Sequence, residues 1–405
     1  MKRVGFVYDK LLDKEFIKQT IIKASKHKTS RKAVKKVLAN LDYYTDLIYE
    51  MIKNDEIKLK PTRQREILER GKVRKITISP FFPNQIFDYL LVESTKSLIR
   101  KSMYHYCVGN VDKRGISYGM KYGKKIIKKY KYFMKLDIRH FYENISPNLL
   151  IKYFETKIKD KRFINFMRVI VDKKELPIGT YYSQWFSNFF LHKFDHYVKE
   201  ELKVPAYVRN VDDMVFGSNN RKHLKSVYYK VKKYLMNISL ELKYRPNIKT
   251  KLNFLGYIFT KNVVKLRLSI FYRIQRSLNK MRKHICFSLV KRLISYIGWL
   301  KSLDIGYSYY KNNIEPIIKI GKLKILMSKG GIWVMVKLIK ENPALFLGEL
   351  RADLVRFSAI DEKTGIRYNV KAVGDETGET ECSEVLIPYP NEVEYEPTNH
   401  PCKAE

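Results

Sequence analysis

The residues best suited to chemistry are two adjacent aspartates, Asp212 and Asp213, in the run AYVRNVDDMVFGS at 206–218. Burying one unpaired carboxylate is expensive and burying two neighbours costs more, so the pair calls for cations. The flanks read as short strands, 206–211 and 214–216, closed by Gly217-Ser218. Carboxylates at such a hairpin tip serve magnesium-dependent phosphoryl chemistry. An Asp-Asp pair by itself more often marks an exposed turn, so a partner is required. Asp137, 75 residues upstream, supplies one at the end of the strand-like part of KYFMKLDIRHFYENI, 131–145. Carboxylates from two neighbouring strands can hold two ions about 3.5–4 Å apart.

Between these aspartates lies LPIGTYYSQWFSNFFLHKFDHYV, 176–198. Pro177 and Gly179 shape a loop, and Ser183 is the expected cap of the helix that follows. Phe186, Phe190, Phe194 and Tyr197 recur at helical spacing and predict a core-facing stripe. The loop ahead of that helix can let backbone approach a nucleotide closely, because Gly carries no side chain.

The order Asp strand, Gly loop with helix, Asp-Asp hairpin, then NFLGY at 253–257 resembles the reverse transcriptases, over roughly residues 50 to 335. The resemblance implies an α+β right-hand polymerase: fingers and a palm with an antiparallel sheet, then a helical thumb; the residues beyond it read separately as a small β-rich C-terminal appendage. It implies that Asp137 and Asp212 ligate two Mg2+ ions, for which Mn2+ can substitute, with Asp213 as the further hairpin carboxylate. Tyr142 matches the aromatic that blocks a ribose 2′-hydroxyl, and Lys72 and Arg74 in GKVRKITI, 71–78, match residues that hold the incoming triphosphate. Phe254, Leu255, Gly256 and Tyr257 look like the primer grip, and Lys249 or Lys251 is the candidate general acid for the leaving group. The hairpin departs from the family pattern at Asn210, where Tyr is usual, which predicts a modified active site with its metal ligands intact. Ile178-Gly179 with Ser183-Gln184, where intron and retron enzymes carry Gln before the Gly and Ser-Pro after it, resembles the enzymes of diversity-generating retroelements. That resemblance implies template RNA, RNA–DNA duplex, deoxynucleoside triphosphates and a small basic accessory protein as partners, with errors at template adenines. A phage-defence reverse transcriptase and a degenerate, RNA-binding polymerase fold are the alternatives; the retained aspartates speak against the second.

Composition agrees. Eighty Lys and Arg against 41 Asp and Glu give a formal charge of +39, the footprint of a nucleic-acid partner. No uncharged apolar run is long enough to span a bilayer, so no membrane partner is expected, and a reducing bacterial cytoplasm is the expected compartment for a bacterial or phage-encoded chain. Cys107, Cys286, Cys382 and Cys402 lie far apart without CxxC spacing, and His140, His192 and His196 read as structural. Residues 1–50 predict basic helical segments, 51–261 fingers and palm, and 262–340 a helical thumb. In the thumb and at its entry, Arg267, Arg273, Arg276 and Lys280 are placed to meet nucleic-acid backbone. Residues 341–405 invert the charge, with 14 acidic and 6 basic side chains. That extension reads either as short strands around LVRFSAID, IRYNVKAV and EVLIPYP or as a partly disordered tail.

Overall fold

A computed structural model describes residues 3–319 apart from 70–71, 110, 112–113, 173, 284–286, 302 and 304–309, together with 356–360 and 367–371. The chain divides into two compact units, Met1–Arg267 and Leu268–Glu405.

The first unit begins with three helices, α1 (Lys14–Ser25), α2 (Lys32–Ala39) and α3 (Leu41–Lys53). Asp13 starts α1 by accepting the backbone N–H groups of Glu15 and Phe16, two donors that no helical carbonyl can satisfy. Helix α3 runs past the expected boundary at residue 50. A hairpin of β1 (Arg63–Glu69) and β2 (Lys72–Ile78) follows, with Leu68 and Val73 exposed. Next come the long helix α4 (Ile86–Ser102) and α5 (Ile116–Lys129).

The central sheet contains β3 (Tyr132–Asp137), β4 (Ala206–Asn210) and β5 (Asp213–Ser218) in the antiparallel order β3-β5-β4. Inserted between β3 and β4 are α6 (Phe141–Asn144), α7 (Pro147–Glu155), α8 (Lys161–Ile170), α9 (Tyr181–Phe190) and α10 (His192–His196). After β5 runs α11 (Arg221–Asn237), then a second antiparallel sheet of β6 (Leu252–Phe254), β7 (Tyr257–Phe259) and β8 (Val264–Leu266). Strand β8 lies beyond the expected boundary at 261, because it completes this meander before the unit ends.

Strand alternation gives the central sheet two chemically different faces. Met134, Leu136, Tyr207, Met214 and Phe216 join one core with the apolar residues of α9, α10 and α11. The other face carries Phe133, Lys135, Asp137, Asp213 and Val215. Helix α9 buries eight of its ten residues, including Trp185, Phe186, Phe189 and Phe190, so Phe186 and Phe190 of the predicted stripe face the core, as does Phe194 of α10, while Tyr197 is half-buried. Its start differs from expectation: Thr180 is the N-cap, and the Ser183 hydroxyl lies inside the first turn, 2.6 Å from the Thr180 hydroxyl. Asp88 of α4 explains the difference, since its buried carboxylate accepts the Tyr181 backbone N–H; burial pushes that carboxyl up to about 7.

The second unit contains α12 (Leu268–Lys283), α13 (Phe287–Lys301) and an antiparallel pair, β9 (Arg356–Ile360) with β10 (Arg367–Lys371). Helix α12 buries Ile270, Ile274, Leu278 and Met281 and exposes Arg276 and Lys280. The EVLIPYP segment of the acidic extension lies outside the described residues. Among those described, no helix is long and apolar enough to cross a membrane.

Candidate active site

Asp137 ends β3 and pairs in register with Asp213, the first residue of β5. Asp212 lies one residue earlier, in the turn from β4, so three carboxylates meet at one end of the sheet. The turn is strained: Val211, at its first central position, has φ +60°, where a β-branched residue is a genuine outlier. Segment 106–108 supports it by running beside β4, with Val108 N–H donating to Arg209 C=O at 2.8 Å and Arg209 N–H to Tyr106 C=O at 3.1 Å. Close approach there requires Gly109, since a Cβ would lie 2.7 Å from Val211 Cγ2 and 2.8 Å from Asn210 Oδ1.

Beneath the turn, Arg209 is fully buried and donates through Nε and one terminal nitrogen to Asp195, at 2.8 and 2.6 Å. Its other terminal nitrogen donates to Asn188 Oδ1 and to the Val211 carbonyl, both at 2.9 Å. Tyr207 adds its hydroxyl to Asp195 at 2.7 Å. The side chain three residues before Asp212 thus ties the strained turn to α9 and α10.

Electrostatics at the tip are unfavourable for carboxylates alone. Burial, then repulsion from Asp137, raises the Asp212 carboxyl, against relief from Lys243 and Arg74. Burial pushes Asp213 up to about 6, although Lys135 Nζ lies 2.7 Å from its Oδ2. Asp213 Oδ1 is buried without a hydrogen-bond partner. Lys243 Nζ is 3.6 Å from Asp137 Oδ1, and the Lys243 backbone N–H donates to the Asp137 carbonyl at 2.9 Å. Among the described residues no group of three or more His, Cys, Asp and Glu side chains is placed to hold a metal ion. An open tip with a partnerless buried oxygen and mutually repelling carboxylates nonetheless fits hard cations, which take oxygen ligands and keep much of their water.

Two further segments converge on the carboxylates. Tyr142, half-buried, interacts electrostatically with Asp212 and Arg74 and hydrogen-bonds Ser187 of α9. Its carbonyl accepts the Leu176 N–H at 3.2 Å, and the Ile178 carbonyl accepts the Thr77 N–H at 2.7 Å, so loop 176–180 bridges the Tyr142 segment to β2. Gly179, at φ +117°, has no room for a Cβ, which would sit 2.5 Å from the Thr77 carbonyl oxygen. The Gln184 side chain is exposed on α9.

Residues 71–259 match the family described as reverse transcriptase (RNA-dependent DNA polymerase). They form a reverse transcriptase domain. No curated protein matches the chain. Among solved structures, the chain is similar to apo telomerase from Candida tropicalis truncated from its C-terminal domain, at 14% identity and TM-score 0.40, over 51% of this chain and 54% of that one. It is also similar to apo telomerase from Candida tropicalis at 13% identity and TM-score 0.42, over 74% of this chain and 64% of that one. This chain therefore spans less than two thirds of either telomerase chain.

Not every expected residue of the reverse transcriptase domain lies at the carboxylates. Lys249 exchanges backbone hydrogen bonds with Phe133, at 2.7 and 2.9 Å, four residues and about 13 Å along β3 from Asp137. Lys251, exposed, immediately precedes β6. Lys243, which the sequence did not single out, is the lysine beside Asp137. Phe254 to Tyr257 form the β6–β7 turn, with Leu255 at φ +50° and Gly256 at φ +80°, the pattern of a type I′ turn. Arg267 closes that sheet by donating to Asn253 Oδ1 at 3.1 and 2.6 Å. Arg273 of α12 donates to the Ser269 carbonyl at 3.0 Å. The Lys72 side chain lies outside the described residues. His192 Nδ1 lies 2.6 Å from the Phe189 carbonyl in the core, and burial holds this imidazole down at about 4, hence neutral.

Proposed function

We propose that this protein copies an RNA template into DNA by two-metal nucleotidyl transfer, as the error-prone polymerase of a diversity-generating retroelement. The observation that carries the catalytic part is the register pair Asp137–Asp213, with Asp212 in the adjoining turn, inside a reverse transcriptase domain. In this reading β1–β2 belongs to the fingers, β3-β5-β4 is the palm and α12–α13 belong to the thumb, which grips duplex through Arg273, Arg276 and Lys280. Asp137 and Asp212 would hold two Mg2+ ions, with Asp213 behind them. When bound, such ions lower the pKa of a primer 3′-hydroxyl and neutralise a leaving pyrophosphate. Arg74, near Asp212 and Tyr142, would meet the triphosphate, the role that the resemblance also gives Lys72. Lys243 can hold a proton at Nζ beside Asp137, a position better suited than that of Lys249 or Lys251 to protonating the leaving group.

Tyr142 lies against α9 within electrostatic range of Asp212, where the ribose of an incoming nucleotide would rest. Tyr142→Ala is expected to raise the ratio of ribonucleotide to deoxynucleotide incorporation by one to two orders of magnitude, about 1–3 kcal/mol of discrimination. An unchanged ratio in single-nucleotide incorporation assays would return Tyr142 to a packing role.

The diversification part rests on Ile178 in loop 176–180. An aliphatic side chain offers no hydrogen bond to the incoming nucleotide, so discrimination depends more on base-pair shape, and about 1.4 kcal/mol of lost selectivity raises errors tenfold. Ile178→Gln should therefore lower misinsertion opposite template adenine more than opposite the other bases. The measurement is sequencing of cDNA made from one defined RNA, with and without a small basic accessory protein. If the unmodified enzyme copies adenine as accurately as the other three bases under both conditions, a phage-defence role becomes the better account.

A further inference from the structure

Helix α11 is divided sharply by chemistry. It buries Leu224, Val227, Val231 and Leu235 against the core that backs the central sheet. Its other side exposes Arg221, Lys222, Lys225, Lys230, Lys232 and Lys233, with Tyr229 59% and Met236 58% exposed among them. The helix contains no Asp or Glu, and none of these six cations forms an ion pair among the described residues. Glu201 approaches one edge, where it lines a groove with Lys230 and Lys233. Like charges three and four residues apart destabilise a helix unless something anionic covers them.

The direction of this face separates it from the catalytic centre. Asp137, Asp213 and Lys135 point from one side of the central sheet, whereas α11 packs on the opposite side with Met134, Leu136 and Phe216. Its cations therefore lie a full helix layer from the carboxylates and cannot be the triphosphate site. A basic path nevertheless joins the two. Arg245 donates to the Tyr229 hydroxyl at 3.4 Å, and two residues earlier Lys243 reaches Asp137.

Resting on the RNA-copying reading, we infer that the outer face of α11 holds the backbone of template RNA outside the stretch being copied. Lys is depleted from protein–protein interfaces, which disfavours a protein occupant for so lysine-rich a surface. A row of cations with an interleaved exposed Tyr instead suits sequence-independent binding of single-stranded nucleic acid. The path through Arg245 and Lys243 leads such a strand toward the polymerising end.

The test is the full-length triple variant Lys222→Gln, Lys225→Gln, Lys232→Gln, none of which touches the catalytic centre. Two probes are compared: a short RNA template annealed to a DNA primer, and the same template inside a transcript with a long uncopied flank. The flanked RNA should bind about tenfold more weakly, with a salt slope shallower by roughly 2, since each lost single-strand phosphate contact removes about 0.7. Affinity and extension rate on the short duplex should stay unchanged. Equal losses on both probes would reduce the face to a general electrostatic contribution and overturn the inference. No loss on the flanked RNA would overturn it too, leaving the face to an acidic protein. Extension of the short duplex by the unmodified enzyme tests the copying activity separately from flank binding.

Discussion

Asp212→Asn is expected to lower magnesium-dependent primer extension by about three orders of magnitude while leaving the fold and RNA binding in place. The side chains are nearly isosteric, so the substitution removes one negative charge and little else. Transition-state stabilisation by bound ions amounts to several kcal/mol, and each 1.36 kcal/mol is a factor of ten in rate. Stability should not fall with activity. Burial and the Asp137 charge both oppose an ionised Asp212, so a neutral amide there relieves a cost of folding. Urea unfolding, RNA binding and single-turnover extension on one preparation give the three readouts. Robust extension by folded Asp212→Asn protein would remove the two-metal assignment.

The carboxylates were legible in sequence because they break a local rule. Asp137 and the Asp212-Asp213 pair each interrupt or end an apolar, strand-forming run; which of the pair shares a face with Asp137 is set by the register of β3 against β5, and that register selects Asp213. Pattern also sufficed for the core stripe of Phe186, Phe190 and Phe194, since each position depends only on its own helix. What failed to show was whatever depends on contacts distant in sequence. The first residue of α9 is decided by Asp88, roughly 90 residues upstream, while Thr180 and Ser183 are equally good caps by type. Lys243 is one lysine among 80 Lys and Arg, distinguished only because its backbone runs beside Asp137. Arg209 reads as an ordinary charged strand residue until Asp195 is placed beneath it. The available signal was a matched oddity: one Arg in an apolar strand, and one Asp in an aromatic helix fourteen residues earlier.

That buried pair gives the largest expected effect on stability. Arg209→Met leaves the Asp195 carboxylate in the core with only the Tyr207 hydroxyl, and breaking one side of a buried ion pair costs about 3–5 kcal/mol. The midpoint of urea unfolding should fall accordingly. Adding Asp195→Leu removes the stranded charge, and apolar replacement of a whole buried pair is often neutral, so the double variant should regain most of the loss. Activity should not follow. Both variants leave the Val211 carbonyl without its Arg209 donor, and Val211 at φ +60° depends on surrounding structure to hold the Asp212 turn. The double variant is therefore expected to fold near normally yet extend primers at least tenfold more slowly, with Arg209→Lys keeping part of the rate. Two outcomes would defeat this account: a double variant no more stable than Arg209→Met, or one that is stable and extends primers at the normal rate.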